Sequence, residues 1–276
     1  MVVQATEGKG VDVAALGGAA VRAANGYVSI RSADEAAMIE DAKALVDLIS
    51  EERDFADDPN RAEDLLDQIA QYSDRQGFAA GDIADAVFDQ GSMIPLYADY
   101  APEVYTALAS LDGETVGCII QTAPRMNADH CRKLAKFVDL CDAFDISSEA
   151  EKNLSAAAAD LYAAYVDASM IKITVIIGKL YGSAWQVLNA NKAYNDVLYA
   201  WPTAEIAVVP SETAASIIYG KEFEKADDPV KARQDFIARY AEEVATPELS
   251  EKLGYINEII MPRATRPRLI SALRLR

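Results

Sequence analysis

From Asp34 to Ile49 the chain reads DEAAMIEDAKALVDLI, and its apolar residues recur at helical spacing. The pattern predicts an amphipathic helix. Ser32 is expected as its N-cap, with Glu35 three residues later completing a capping box. Residues 50–62 are dense in charge, contain one proline and read as a linker, with a short helix over 62–72. A helix over 82–91 is expected to end at Gly91. Two apolar runs follow, joined by Asp112-Gly113, which predicts a hairpin. DHCRKLAKFVDLCDAF (129–144) predicts a helix with Lys and Arg on one face and its apolar face on a sheet. Ser148 and Glu151 open a long alanine-rich helix over 147–168 as a second capping box.

The apolar, β-branched run KITVII (172–177) predicts a strand. It leads to the small residues Gly182-Ser183-Ala184, a helix near 184–192, and strands DVLYA and EIAVV. Helices are expected over 210–219 and 229–244, then a short one opened by Thr246-Pro247-Glu248. GYINEII reads as a last strand, and Thr265 as the cap of a final helix to Leu275. Strands alternating with helices argue an α/β fold. The strand–turn–helix plan occurs twice, in TVIIGKLYGSAW and EIAVVPSETAAS.

Charge and cysteine usage narrow the function. A net charge of −18 over 276 residues repels phosphate backbones and anionic lipid, so nucleic-acid binding is not expected. No apolar stretch is long enough to span a bilayer, and MVVQATEGKG lacks a signal-peptide core; a cytoplasmic location is the expectation. Cys118, Cys131 and Cys141 are odd in number and form no CxxC pair. They read as core thiols rather than as a disulfide framework or metal site. His130 is the single histidine, so a Ser-His-Asp or Cys-His hydrolase would have to use it. Its place at a helix start favours a capping or surface role.

Gly182-Ser183-Ala184 admits two readings. Backbone N–H groups at a helix start lack intrahelical partners and carry partial positive charge, so they can hold an anionic oxygen. Small residues equally permit close packing of helix on strand.

The segment VIIGKLYGSAWQVLNANKAYNDVLYAWPTAEIAVV, with GYINEIIMPRATRPRLISAL and DGETVGCIIQTAPRMNADHCRKLAKFVDLCDAFDI, resembles the biotin-dependent acyl-CoA carboxyltransferases. These are the β-type subunits of propionyl-CoA and acetyl-CoA carboxylases and their sodium-pump decarboxylase relatives. The resemblance implies a crotonase-like superhelix of ββα units, here incomplete. It also implies carboxyl transfer between biotin, held on a separate carrier protein, and the α-carbon of an acyl-CoA. Residues 1–49 resemble the end of the family's amino-terminal domain and 82–276 its carboxyl-terminal domain, with 50–81 between them.

By that resemblance Gly182, Ser183 and Ala184 form a backbone oxyanion turn, bordered by Tyr181, Trp185 and Gln186 at the biotin or acyl pocket. No metal is implied. The partners implied are a biotin carboxyl carrier protein, biotin carboxylase or decarboxylase-complex subunits, and further copies of the chain. Arg263, Arg266, Arg268, Arg274 and Arg276 could meet a carrier domain or a CoA phosphate, or form a solvated helix face. Two departures stand out. Most of the family's amino-terminal domain has no counterpart, and Ile146 passes directly to Ser147 where the family continues with a strand and an active-site loop. A catalytically inactive scaffold is therefore the alternative expectation.

Overall fold

A computed structural model describes residues 12–50, 63–71, 79–123, 125–142, 154–188, 194–223 and 226–274. The expected capping box at Ser148 and Glu151, most of the 50–62 linker and Arg276 lie outside those residues. The chain forms two compact units, residues 1–59 with 78–168, and 60–77 with 169–276.

In chain order the first elements are α1 (Val13–Gly17), α2 (Ala19–Ala24), α3 (Glu35–Ser50), α4 (Glu63–Gln71) and α5 (Ala80–Val87). Next come β1 (Ile94–Pro95), β2 (Val104–Leu111), β3 (Glu114–Gln121), α6 (Ala128–Asp142) and α7 (Leu154–Asp167). The second half continues with β4 (Ile173–Ile176), β5 (Lys179–Tyr181), α8 (Ser183–Val187), β6 (Val197–Ala200) and β7 (Glu205–Ala207). It closes with α9 (Ser211–Phe223), α10 (Pro229–Glu243), α11 (Pro247–Lys252), β8 (Glu258–Ile259) and α12 (Thr265–Leu273).

The first unit is built on the antiparallel sheet β1-β2-β3. Leu111 pairs with Glu114, so Asp112 and Gly113 form a two-residue loop, and both have positive φ (57° and 84°) as the tightest hairpin turns require. The buried Asp89 caps that loop. Its carboxylate accepts from Asp112 N–H (3.0 Å), Gly113 N–H (3.0 Å) and the Ser110 hydroxyl (2.6 Å). Leu48, Leu96, Leu108 and Phe137 gather α3, the sheet and α6 around one core.

Several local expectations are corrected here. Asp34, not Ser32, caps α3 by accepting from Ala37 N–H (2.8 Å), while the Ser32 hydroxyl is drawn to Asp41 (2.5 Å). The cationic face expected of α6 is interrupted because Lys133 is buried and donates to Ala101 O (3.3 Å). The helix expected over 82–91 ends at Val87.

In the second unit β4, β6 and β8 form one parallel sheet, and β5 and β7 pair in parallel in another. The strand predicted over 172–177 forms as β4, and after Ile177-Gly178 a second short strand, β5, not expected from the sequence, enters the other sheet. Ile176 O accepts from Trp201 N–H (2.9 Å) and Gly178 O from Glu205 N–H (3.1 Å), so both copies change sheet together, the second through a longer connection, 201–204 against 177–178. β4-β5-α8 and β6-β7-α9 are two ββα units laid side by side, the physical form of the repeated plan in the sequence. Leu180, Leu198, Ile206 and Ile256 fill the core between them.

Thr246 caps α11 as expected, accepting from Leu249 N–H (3.3 Å). Thr265 does not cap α12. Its hydroxyl accepts from the buried Trp201 indole N–H (2.9 Å) and donates to Pro262 O (2.6 Å). Of GYINEII only Glu258–Ile259 pairs as a strand.

Candidate functional site

The turn after β5 begins at Gly182, whose backbone (φ 57°, ψ −131°) lies where L side chains are strained. A Cβ built there would stand 3.3 Å from Val208 O. Gly182 N–H donates to Ala207 O (3.3 Å), a long bond that continues the β5–β7 ladder by one step. Gly182 O then accepts from Trp185 N–H (3.2 Å), closing the first turn of α8. Ser183 and Ala184 are the first two residues of that helix, where N–H groups have no intrahelical acceptor. The structure thus places the predicted donors at the start of a short helix one step beyond a strand end.

The flanking residues divide. Trp185 packs on the core, its ring edge-to-face with Tyr255 at 5.1 Å and 88°. Tyr181 is half-buried, and its hydroxyl donates a short hydrogen bond to Glu205 Oε2. Burial, and then that bond to a carboxylate, push the Tyr181 phenol well above its ordinary pKa. Glu205 Oε1 also meets Lys179 Nζ at 3.1 Å. The side chains of Ser183 and Gln186 lie outside what is described.

The sequence argument did not single out Glu205 and Lys179. A signal was present, since EIAVV opens with a charge next to two apolar positions and its parity matches Lys179 and Tyr181. Spacing within one strand could not reveal that those two strands are neighbours.

His130 is buried and belongs to a helix cap. Asn127 Oδ1 accepts from His130 N–H (2.9 Å), and His130 Nδ1 accepts from Asn127 N–H (3.3 Å). Its Nε2 stands 3.4 Å from Glu103. The arrangement is a reciprocal capping box with histidine in the third helical position.

All three cysteines are free; Cys118 and Cys131 are buried, Cys141 half-buried. Burial raises each thiol, Cys141 to about 12, so none is poised as a thiolate. The arginines do not form one solvated face. Arg266 is buried, Arg268 pairs with Glu258 (2.5 Å), and Arg263 meets Asp67 through its backbone N–H (3.2 Å). Among the described residues no cluster of His, Cys, Asp or Glu could hold a metal ion, and no helix is long and apolar enough to cross a membrane.

Comparison with known proteins identifies the family and the fold. The family model described as the carboxyl transferase domain matches residues 1–148 and 149–276. The two stretches meet within two residues of the Ile146-Ser147 junction, where a departure from the family is expected. The propionyl-CoA carboxylase carboxyltransferase subunit of Haloferax mediterranei is 35% identical over 238 residues, covering 79% of this chain and 46% of that protein. The methylmalonyl-CoA carboxyltransferase 12S subunit of Propionibacterium freudenreichii subsp. shermanii is 29% identical, covering 99% and 57%. A solved transcarboxylase 12S structure, a hexamer assembly with methylmalonyl-coenzyme A and methylmalonic acid bound, superposes with a TM-score of 0.88. It is 28% identical and covers 99% of this chain and 57% of that chain. The chain spans about half the length of the relatives it matches.

Proposed function

The chain belongs to the carboxyl transferase domain family, with the crotonase-like fold of its solved relative, and from that premise we propose that it carries one oxyanion turn of a biotin-dependent acyl-CoA carboxyltransferase. The reaction is carboxyl transfer to or from the α-carbon of an acyl-CoA. The observation that carries the reading is the turn at Gly182, a side-chain-free residue at positive φ that starts α8 directly from β5. Biotin, on its carrier protein, supplies when bound the nitrogen that holds the carboxyl group. The chain's own part is to place the N–H groups of Ser183 and Ala184 where an oxygen gains negative charge, a preorganised stabilisation worth about 10²–10³-fold per donor. The close approach of Val208 O to Gly182 suits this role, because it leaves the turn as bare backbone.

Residues 1–49 serve in this reading as the end of an amino-terminal domain, and 82–276 as the carboxyl-terminal domain. Partners are a biotin carrier protein, a biotin carboxylase or decarboxylase complex, and further copies of the chain. The buried free thiols suit a reducing, cytoplasmic setting.

The test is carboxyl exchange between malonyl-, methylmalonyl- or glutaconyl-CoA and free biotin, with the full chain. Ser183→Pro removes one N–H at the first helical position, where proline is tolerated. Exchange by the wild type that falls about 100-fold in Ser183→Pro is the expected result. Equal rates in both proteins, or no exchange with any of the three thioesters from folded protein, overturns the assignment.

A further inference from the structure

The strand pair that carries the turn is intrinsically weak. β5 and β7 are two parallel strands joined over three residue pairs, Lys179↔Glu205, Leu180↔Ile206 and Tyr181↔Ala207. Parallel pairs are less stable per residue than antiparallel ones, and two-stranded sheets are marginal alone. One face is secured by Leu180 and Ile206, both in the core. The other face holds Lys179, Tyr181 and Glu205. There Glu205 lies directly opposite Lys179 and diagonal to Tyr181, the two cross-strand positions from which side chains interact. It uses both oxygens, Oε1 toward Lys179 Nζ at 3.1 Å and Oε2 accepting from the Tyr181 hydroxyl. The next residue after Tyr181 is Gly182, whose own link to β7 is the 3.3 Å bond to Ala207 O.

We propose that Glu205 is a positioning residue: by clamping Lys179 and Tyr181 across the strand pair it fixes where β5 ends, and so where the N–H groups of Ser183 and Ala184 point. This rests on the reading of Gly182–Ala184 as the oxyanion turn. An O–H donor on a carboxylate is among the stronger side-chain hydrogen bonds, and it acts one residue from the turn. Glu212 and Tyr240 also bear on the Tyr181 hydroxyl, and both act in the same direction as Glu205 by disfavouring phenolate. Tyr181 is therefore a brace rather than a proton carrier.

The experiment compares wild type, Glu205→Ala, Glu205→Gln and Tyr181→Phe in the full chain. Amide hydrogen exchange over residues 182–186 reads the brace. Carboxyl exchange, resolved into kcat and KM, reads its consequence. Glu205→Ala and Tyr181→Phe are expected to speed amide exchange there about tenfold, the weight of one hydrogen bond to a charged group. Glu205→Gln, whose carboxamide oxygen still accepts from Tyr181, is expected to restore most of the protection. kcat is expected to fall in step with the lost protection while KM holds, because a misdirected donor weakens transition-state rather than ground-state binding.

Unchanged amide exchange in Glu205→Ala, in protein whose 112–113 hairpin is protected as in wild type, overturns the proposal. Loosened amides with undiminished kcat separate the two claims, since the brace then stands and the oxyanion assignment falls. If the wild type transfers no carboxyl group, the assignment falls by that result, and amide exchange still decides the brace.

Discussion

Gly182→Ala tests the central geometry most directly. At φ 57° and ψ −131° an L-alanine is strained, and such conformations cost about 1–3 kcal/mol. The new Cβ would stand 3.3 Å from Val208 O, a backbone atom that moves only if β7 moves. Alanine also reduces the freedom of the unfolded chain, which offsets about 0.4–1 kcal/mol. The net loss is therefore about 1–2 kcal/mol, or roughly 2–8 °C in Tm for a chain of this size.

Gly220 in α9 is the matched control. It lies in the same unit, inside a helix, with nothing within 4 Å of a built Cβ. Gly220→Ala should therefore stabilise by about 0.5–1 kcal/mol. The assays are thermal unfolding of both variants and carboxyl exchange with an acyl-CoA. In Gly182→Ala the strain is relieved by rotating the turn, so exchange should fall about 100-fold, as for a lost oxyanion donor. Gly182→Ala that melts no lower than Gly220→Ala and retains wild-type exchange would refute both the conformation and the role drawn from it.

Two further predictions concern the first unit. Asp89→Ala removes the acceptor of three hydrogen bonds at the hairpin loop, one buried and two half-buried, so a loss of about 3 kcal/mol is expected in denaturant unfolding; a loss under about 1 kcal/mol contradicts the capping role. Burial of Lys133 lowers its pKa to about 8, below the ordinary lysine value. The unfolded chain therefore holds that proton longer, so the contribution of Lys133 to stability rises as pH goes from about 8 toward about 10. It is opposed from about pH 8.5 by Cys118, Cys131 and Cys141, and above about 10 by Tyr100, Tyr165 and Tyr181, whose raised folded pKa values let the unfolded chain ionise first. Lys133→Met should therefore lose stability more steeply than wild type between about pH 8 and 10 in urea titrations, and an unaltered slope would show that the lysine is solvated.

The features that the residues themselves determined are those written within a few positions of chain. Asp112-Gly113 gave the hairpin because aspartate and glycine tolerate the two positive φ angles with which this two-residue loop matches the strand twist. Thr246 and Pro247 gave a helix start for the same local reason. The repeated strand–turn–helix plan located the turn at Gly182, while the ββα architecture came from the family resemblance that YAWPTAEIAV carries.

What only the tertiary structure decided depends on residues far apart in sequence. ITVIIGKLY looks like one continuous apolar run, and hydrophobic period cannot show that it changes sheet at Gly178. Ser32 and Asp34 were both competent caps, and Ser32 was taken by Asp41 instead. Thr265 was diverted from capping by the Trp201 indole, 64 positions away. Lys133 entered the core because Ala101 O lies there to receive it. Glu205 met Tyr181, 24 positions away, because two three-residue strands pair in a single register. Local propensity states which partners a side chain can accept, and the fold chooses among them by which ones it brings within hydrogen-bond reach.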